Sequence, residues 1–304
     1  MRAWPLAVAL LVACGALLRA GGAAPMTAYL ATVTAAQLVL YVAERARPLR
    51  SSWSEGDPGR AHDLAHYVLG MILGQLAAGV VTDAIATPLH AVLAGALGAS
   101  PWPTAWPLVA QLALAVMVAE LGLYAQHRAM HASRWLWRFH AVHHESPRLD
   151  VFKATRQHPV DLALATVASL VPLVALGAPG TAAFGVALLS AALGLLQHAN
   201  LTLATPPWLD RWVCTPAVHR LHHGRDRRDS ERNFGVMVMA YDVLFGTWSP
   251  PRGACPQEVG MSGPRRALWA ELLGVMPAAP VTPCADTASS ATRPPWNSPP
   301  TPPP

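Results

Sequence analysis

The sequence contains few charged residues, which make up 13 % of its 304 residues. Soluble domains carry about 25 % charged residues. In this chain 53 % of the residues are hydrophobic and the mean hydropathy is +0.30. The shortage of charge therefore argues against a soluble protein and predicts an integral membrane protein, and the length fits one compact membrane domain.

Motifs that define several other protein classes are also missing. The cysteines form no C-x-x-C pair and no zinc-ribbon spacing, so we expect all of them to be unpaired: Cys14, Cys214, Cys255 and Cys284. The H-E-x-x-H motif of zinc metalloproteases is absent, and so are the Glu-x-x-His pairs of soluble carboxylate di-iron bundles. These absences exclude a disulfide scaffold, a zinc protease of that type and a soluble di-iron bundle.

Apolar runs separated by polar segments make up most of the chain. A bilayer-crossing helix needs about 20 residues, and the candidate runs are 4–18, 27–43, 64–86, 104–125, 160–177 and 181–197. The net charge of +5 comes mostly from arginine, concentrated in the segments 44–60, 126–159 and 199–250. Basic segments between spans face the cytoplasm, so the arginines indicate membrane orientation, and we expect no nucleic-acid partner.

Three stretches are less regular than these runs. Residues 4–18 form either a first transmembrane helix or a cleaved signal peptide, and the helix is the favoured interpretation. The apolar piece from Pro88 to Ala99 is too short to cross a membrane, so we expect it at the outer surface or as a re-entrant cap. Residues 277–304 are too rich in proline to build helices or sheets, which predicts a disordered tail.

Histidine is unusually frequent, with 13 copies, and most copies are clustered. HRAMH supplies an i, i+4 pair at the end of the fourth apolar run, and H-x-x-H-H occurs twice, in RFHAVHH and in VHRLHH. Residues at i, i+3 and i+4 share a helix face, so each triplet can direct its three imidazoles to one point. The isolated histidines His62, His66 and His90 are interpreted as interfacial or packing residues.

The clustered imidazoles indicate metal binding. Neutral histidine binds zinc, copper, iron and nickel, and four ligands complete a tetrahedral zinc site. The pair and the two triplets supply eight histidines, and His198 at the end of the sixth apolar run is a ninth. This number is too large for one ion and fits two neighbouring ions that keep open coordination positions. Accidental clustering is the alternative.

The order of the clusters and the words around them resemble the fatty acid hydroxylase and sterol desaturase superfamily. The matching words are LWRFHAVHHESPRLDVFKATRQHP, QHANL, TPAVHRLHH, NFG and YDVLFGTW, which extend over about residues 60–250. The resemblance implies an all-α fold, a polytopic transmembrane helical bundle with a cytoplasmic histidine-rich helical cap. It also implies a membrane-bound di-iron oxidoreductase that uses O2 and two electrons to hydroxylate or desaturate a C–H bond of a sterol, fatty acyl or other isoprenoid lipid.

Carried over residue by residue, the resemblance implies a set of ligands for two iron ions (Fe2+/Fe3+). These ligands are His127, His131, His140, His143, His144, His198, His219, His222 and His223. His158, which precedes a proline, is added as a ligand or as a partner of one. Some relatives carry a further histidine four residues after the one that matches His198, and here that position is Thr202.

Two carboxylates are the candidate catalytic residues that support the metal site. Glu120 and Asp150 are expected to hydrogen-bond ligand imidazoles and orient them. Glu120 lies inside a span, where an ionisable group is costly unless it faces a polar interior, and a helix-packing contact is the alternative. Asn200, Asn233 and Asp242 either orient the site or cap helices.

The electrons must come from another protein, because the chain has no haem-binding HPGG loop and no flavin or nicotinamide fingerprint. We expect a ferredoxin- or cytochrome b5-like donor with its reductase. A run of arginines after the last triplet either anchors to anionic lipid or docks an acidic donor: Arg225, Arg227, Arg228 and Arg232.

The predicted organisation has three parts. Residues 1–59 are N-terminal transmembrane segments with a basic loop, 60–250 are the catalytic domain, and 251–304 are a C-terminal extension, disordered from about 277. We expect the protein in the bacterial inner membrane with its active site facing the cytoplasm. The alternative function is a membrane metal-binding or transport protein without redox catalysis, although a transporter would place histidines along its spans rather than at their ends.

Overall fold

The computed structural model describes residues 4–253, 255, 256 and 258–275. The predicted disordered tail, from about residue 277, and Cys284 lie outside these residues, and the other three cysteines are free thiols. The described chain is helical, with isolated β-bridges and no longer strand pairing. This architecture confirms the predicted all-α class. The α-helices are α1 (Trp4–Ala20), α2 (Pro25–Ala46), α3 (Arg60–Leu69), α4 (Gln75–Leu97), α5 (Leu108–Ala132), α6 (Arg134–His144), α7 (Pro159–Ala175), α8 (Gly180–His198), α9 (Pro216–His222), α10 (Arg227–Ser230), α11 (Ala240–Leu244) and α12 (Leu268–Leu272).

Every predicted apolar run is helical in the structure. Four helical segments are long and apolar enough to cross a membrane, namely Pro25–Ala46, Arg60–Leu97, Leu108–Ala132 and Gly180–His198. Two shorter apolar helices accompany them, Pro5–Ala20 and Pro159–Ala175. The six segments are the polytopic helical bundle that the hydropathy pattern predicts.

The apolar piece that ends at Ala99, expected as a separate surface or re-entrant segment, is instead continuous with the preceding run. Helix α4 continues through Pro88 to Leu97 and ends at Gly98, whose φ of 68° is in the left-handed region that glycine adopts freely. A short π-helical segment, Gly70–Gly74, joins α3 to α4, so the whole segment from Arg60 is one helical rod. An internal proline is tolerated in such a helix because neighbouring helices and local adjustments satisfy the freed backbone groups.

Helix α5 lies at the centre of the bundle and packs against α6, α7 and α8, while α4 covers α7. Small residues allow the close contacts: a Cβ at Gly122 of α5 would lie 1.9 Å from the carbonyl oxygen of Ala168 on α7. The main apolar core includes Ala115 and Ala119 of α5 and Leu173 of α7, all fully buried. Tight packing of these helices aligns the ends from which the histidines project.

The segments on both sides of residues 60–250 pack against them. Glu44 of α2 accepts hydrogen bonds from the backbone N–H groups of Val151 and Asn200 at 2.8 and 2.7 Å. On the C-terminal side, the Arg266 guanidinium forms an ion pair with Glu145 at 3.2 Å. Packing therefore continues across both of the predicted boundaries, at 59 and at 251.

Candidate metal centre

The clustered histidines meet at one end of the bundle, which we call the histidine end. Helix α5 delivers its pair in its last two turns, α8 delivers His198 as its final residue, and α6 and α9 carry the triplets. Ser133 caps α6 by accepting from the N–H of Leu136, and Thr215 caps α9 with Pro216 in the first helical position. These caps start both short helices at registers that turn their histidines toward the ends of α5 and α8.

Nine histidines form two groups, and within each group the possible ligand atoms all lie within 4.8 Å of one another. The first group, which we call group A, contains His127, His131, His140, His144 and His222. The second, group B, contains His143, His198, His219 and His223. All are buried except His131, which is partly exposed.

Each triplet is divided between the groups rather than directed to one point as the spacing suggested. In the first triplet, His140 and His144 belong to group A and His143 belongs to group B. In the second triplet the division is reversed: His222 belongs to group A, whereas His219 and His223 belong to group B. With 3.6 residues per turn, adjacent positions i+3 and i+4 point about 100° apart. Each triplet therefore serves two sites and ties the groups together.

Six of the nine rings have a hydrogen-bond partner at Nδ1: a backbone carbonyl in four cases, a carboxylate in one, and the Cys214 Sγ atom, 4.0 Å from His219 Nδ1, in one. His127 donates to Phe234 O at 2.7 Å, His222 to Arg232 O at 2.7 Å, His198 to Gly194 O at 2.8 Å and His143 to Arg156 O at 3.2 Å. His140 donates to the Asp161 carboxylate at 2.8 Å. A proton on Nδ1 leaves the Nε2 atom of a neutral ring as a lone-pair donor.

The Nε2 atoms then face one another. In group A, His127 Nε2 lies 3.0 Å from Nε2 of both His140 and His222. In group B, His198 Nε2 lies 3.2 Å from Nε2 of His143, His219 and His223. Two lone-pair nitrogens repel each other unless a cation lies between them. The donor set therefore fits one metal ion in each group.

Two further observations agree with cation binding. The Nε2 atoms of His131 and His144 are buried and have no hydrogen-bond partner among the described residues, and buried polar groups are ordinarily satisfied. Burial lowers the pKa of His143, and repulsion from neighbouring imidazoles adds to the effect. The same causes lower the pKa of His219 and His223. Neutral imidazole is the form that binds metals.

Three of the sequence-predicted site residues lie apart from both groups. His158 caps α7 by accepting from the N–H of Val160 at 3.0 Å, and its Nε2 donates to Leu272 O at 3.1 Å. Asp150 caps the 3-10 turn after it through the N–H of Phe152 and pairs with Arg60 at 3.4 Å. His158 and Asp150 therefore bond to helix ends and to the Arg60 side chain, and neither contacts an imidazole of group A or group B.

Glu120 also bonds to groups other than imidazoles. Its carboxylate accepts from the backbone N–H groups of Val236 and Met237 at 2.6 and 2.8 Å. Phe234, two residues before Val236, supplies the carbonyl that receives the His127 proton. Glu120 thus holds the residues that directly follow the NFG segment, and the NFG segment orients His127. Glu120 was expected to hydrogen-bond an imidazole itself, so its contact with the site is indirect. Asp242 holds the same segment through the N–H groups of Phe234 and Gly235.

The carboxylate that contacts one of the nine imidazoles is Asp161, which sequence reasoning missed. It is buried in the first turn of α7, where it accepts from His140 and also from Gln126 at 3.0 Å. The only sequence signal is an acidic residue three positions after the histidine of RQHPVD. Its partner lies 21 residues earlier, on α6, so the pairing depends on how α6 crosses α7.

A buried ionic network with Arg156 at its centre supports α6, the helix that carries the first triplet. The Arg156 guanidinium contacts Asp63 at 3.1 Å and Glu271 at 2.8 Å, and its Nε donates to Val142 O of α6. Burial raises the pKa of Glu271, but the hydrogen bond from His66 and the charge of Arg156 outweigh it and bring the pKa to about 2. Because the Arg156 carbonyl orients His143, helix α12 is linked to group B.

A cavity of about 480 Å³ extends from the histidines into the bundle. His127, His140, His143, His198 and His219 line its base, and residues of α2, α3, α4, α7 and α8 form its walls. The cavity reaches Gly180 at the far end of α8. At 1.5 Å per residue this corresponds to roughly 27 Å of helix between the far end and His198.

Comparisons with known proteins agree with this geometry. A family model described as fatty acid hydroxylase matches residues 112–247. Ornithine lipid hydroxylase OlsE of Rhizobium tropici is 34 % identical over 238 residues, which are 77 % of this chain and 70 % of that protein. Alkylglycerol monooxygenase of Danio rerio is 30 % identical over 154 residues, and that of Homo sapiens 26 % identical over 159 residues.

The coverage of these relatives differs. The matched part is 49 % of this chain for each of the two monooxygenases but only 32 % of either monooxygenase, so the chain spans about a third of their length. No solved structure matches the chain significantly. The match to the rhizobial hydroxylase confirms the family resemblance and the expected class of enzyme, an O2-dependent lipid oxidoreductase. The chain therefore belongs to the fatty acid hydroxylase family, a family of membrane-bound enzymes that oxidise lipids.

Proposed function

We propose that the enzyme hydroxylates a C–H bond of a membrane lipid at a centre of two iron ions, one in group A and one in group B. The observation that carries the proposal is the convergence of the ligand nitrogens of nine imidazoles, eight of them buried, in two adjoining sets. The rival function, metal binding or transport without redox catalysis, would not require a cavity that leads from these imidazoles into the bilayer region.

When bound, the iron ions would supply the oxidising power that amino-acid side chains lack, with O2 as the oxidant. In the overall reaction one oxygen atom enters the C–H bond and the other leaves as water, which consumes two electrons and two protons. The relatives named hydroxylase and monooxygenase favour hydroxylation over desaturation. A membrane lipid as substrate is consistent with the same names.

The chain's own residues would orient the ligands and exclude water. Asp161 and the backbone carbonyls keep the Nδ1 protons in place, so that each Nε2 atom presents its lone pair. Glu120 keeps the NFG segment, and with it the carbonyl of Phe234, against α5. The apolar cavity admits the lipid and keeps bulk water from the reacting carbon.

The electrons would come from a separate ferredoxin- or cytochrome b5-like protein. The arginine run after the second triplet is a weaker docking surface than its sequence suggests. Arg225 pairs with Glu258 at 2.8 Å and Arg227 pairs with Glu231, which neutralises part of the charge. Following the positive-inside rule, we place the histidine end at the cytoplasmic face of a bacterial inner membrane. We retain residues 60–250 as the catalytic domain, supported by the packing of 258–275.

The test combines metal analysis with lipid analysis. Anaerobically purified protein is expected to contain two iron ions per chain, and His143→Ala is expected to lose iron and product while it still inserts in the membrane. Mass spectrometry of lipids from cells with and without the active protein would identify the hydroxylated species. Full iron content and full turnover in His143→Ala would contradict the ligand assignment, and metal binding without any lipid product would favour the transport alternative.

A further inference from the structure

The cavity is uncharged along almost its whole length. Among the described residues that line it there is no lysine or arginine, and Asp161 is the single carboxylate. That carboxylate is already occupied by His140 and Gln126. A charged lipid group inside the cavity would therefore lose its hydration without gaining an opposite charge, which is strongly unfavourable in a membrane interior.

Four neutral polar side chains form a band on the cavity walls, in addition to Tyr29 and Tyr67 and to polar residues next to the histidines. We call it the polar band and define it as Gln75 of α4, Thr166 and Ser169 of α7, and Ser190 of α8, all of which line the cavity. Thr166 lies five residues beyond Asp161, and Ser190 lies eight residues before His198. At 1.5 Å per residue, the band is roughly 8–12 Å above the level of the histidines.

Part of the band's hydrogen-bonding capacity is unused. Thr166 donates to Leu162 O at 2.8 Å and accepts from Gln75 Nε2 at 3.2 Å. The carbonyl oxygen of Gln75 has no partner among the described residues, and Ser190 makes no hydrogen bond there, not even to the carbonyl four residues earlier that serines in apolar helices commonly use.

A purely structural role explains only some of these residues. Polar side chains in membrane proteins often join helices by hydrogen bonds, and the Gln75–Thr166 pair does join α4 to α7. Ser190 joins nothing, yet it faces the same cavity from the opposite wall. Unsatisfied polar groups at such positions are costly unless they face a polar interior or a ligand.

We propose that the polar band binds an uncharged hydrogen-bonding group of the substrate, such as a hydroxyl, ether, ester or amide, while an apolar part of the same lipid reaches the histidines. The inference rests on the proposed function only in treating the bound lipid as the substrate. It defines the substrate class as a lipid whose neutral polar group lies roughly 8–12 Å from the oxidised carbon, by the helix rise. Any charged head group of such a lipid stays outside the cavity.

The test uses four matched probes: hexadecane, hexadecan-7-ol, hexadecan-7-yl sulfate and 7-aminohexadecane. Their binding to the purified, iron-loaded enzyme in detergent micelles is measured by competition with radiolabelled hexadecan-7-ol at pH 7. We expect the alcohol to bind about 5-fold more tightly than the alkane, as one net hydrogen bond gives. The anionic and cationic probes are expected to bind at least about 10-fold more weakly than the alcohol.

Two variants and one control assign the preference to the band. Ser190→Ala removes a hydroxyl that makes no hydrogen bond, so it should not disturb folding, and it is expected to reduce the preference for the alcohol over the alkane to less than about 2-fold. Gln75→Leu should have the same effect. Thr82→Val is the control, since Thr82 is a buried hydroxyl on the same helix that does not line the cavity.

Equal binding of alcohol and alkane by the unmodified enzyme would overturn the inference. So would a preference that survives in both variants, or charged probes that bind as tightly as the alcohol. The readout is binding rather than turnover, so it is separate from the proposed function. The enzyme could also bind hexadecan-7-ol selectively but fail to oxidise it when iron, O2 and a reductant are supplied. That result would contradict the proposed function and still support the polar band as a binding site.

Discussion

Asp161 offers a direct test of how the chain supports its metal ligands. Its carboxylate accepts the Nδ1 proton of His140 at 2.8 Å and a proton of Gln126 at 3.0 Å, and the residue is buried. Asp161→Asn keeps the volume but removes the charge. It also replaces one acceptor oxygen with an amide donor, which must face either a protonated Nδ1 or the Gln126 amide.

The expected magnitude follows from this single contact. Substitutions of residues that hydrogen-bond a ligand imidazole weaken metal binding about 10- to 100-fold, which is about 1.4–2.7 kcal/mol. The loss should be confined to group A, to which His140 belongs, because His143 of group B is oriented by a backbone carbonyl instead. At a free Fe2+ concentration that just fills both sites of the wild type, the iron content of the variant should fall from two ions per chain toward one.

The assay is an anaerobic titration of the metal-free enzyme with Fe2+ in competition with a chromophoric chelator, which reports each binding constant without turnover. Asp210→Asn is the matched control, since Asp210 is a buried carboxylate that accepts from the hydroxyls of Thr205 and Thr215 and contacts no histidine. Two unchanged binding constants in Asp161→Asn would refute the argument, because they would mean that the His140–Asp161 contact does not stabilise the site.

Three further variants test the structure around the site. Glu271→Gln should lower the free energy of unfolding by about 3 kcal/mol, because it leaves the buried Arg156 short of one carboxylate. The pKa of Glu271 is about 2 in the folded protein, below the ordinary 4.5. In thermal melts, the difference in stability between wild type and variant should therefore be complete above about pH 4.5 and disappear as the pH falls toward 2. Gly122→Ala should cost about 1–3 kcal/mol by overpacking α5 against α7, whereas Gly79→Ala, with open space around it, should melt like the wild type. Glu120→Gln should reduce iron retention by presenting an amide donor to two backbone N–H groups, and retention equal to wild type would contradict its role in holding the NFG segment.

Much of the architecture was predictable because it depends on local patterns. Six apolar runs become helices, four of them long enough to cross a membrane. The charge-free Gly177–Gly180 turn between two of the runs puts the start of α7 and the end of α8 at the same end of the bundle. The number of crossings then puts both H-x-x-H-H triplets at one end of the bundle. The nine proposed ligands also followed from sequence, since histidine spacing within a helix and the surrounding words are local features.

Local patterns predicted poorly where neighbouring helices decide the outcome. The apolar piece after Pro88 reads as a separate segment in isolation, yet α4 continues past Pro88 and packs along α7. Glu120 and Asp150 were reasonable candidates from sequence. Glu120 precedes the first histidine pair on the same helix, and Asp150 follows the first triplet. Their oxygens are directed to backbone N–H groups and cations instead.

The sequence by itself determined the helices, the end at which the histidines gather and the chemistry that so many imidazoles support. Only the tertiary structure decided which imidazoles lie within 4.8 Å of one another, that Asp161 rather than Glu120 contacts one of them, and that neutral polar groups line the cavity. The physical reason is the range of the interactions. Helix formation and capping depend on residues a few positions apart, whereas the His140–Asp161 contact joins residues of two different helices, and group B joins residues from 143 to 223, through the angles at which helices cross.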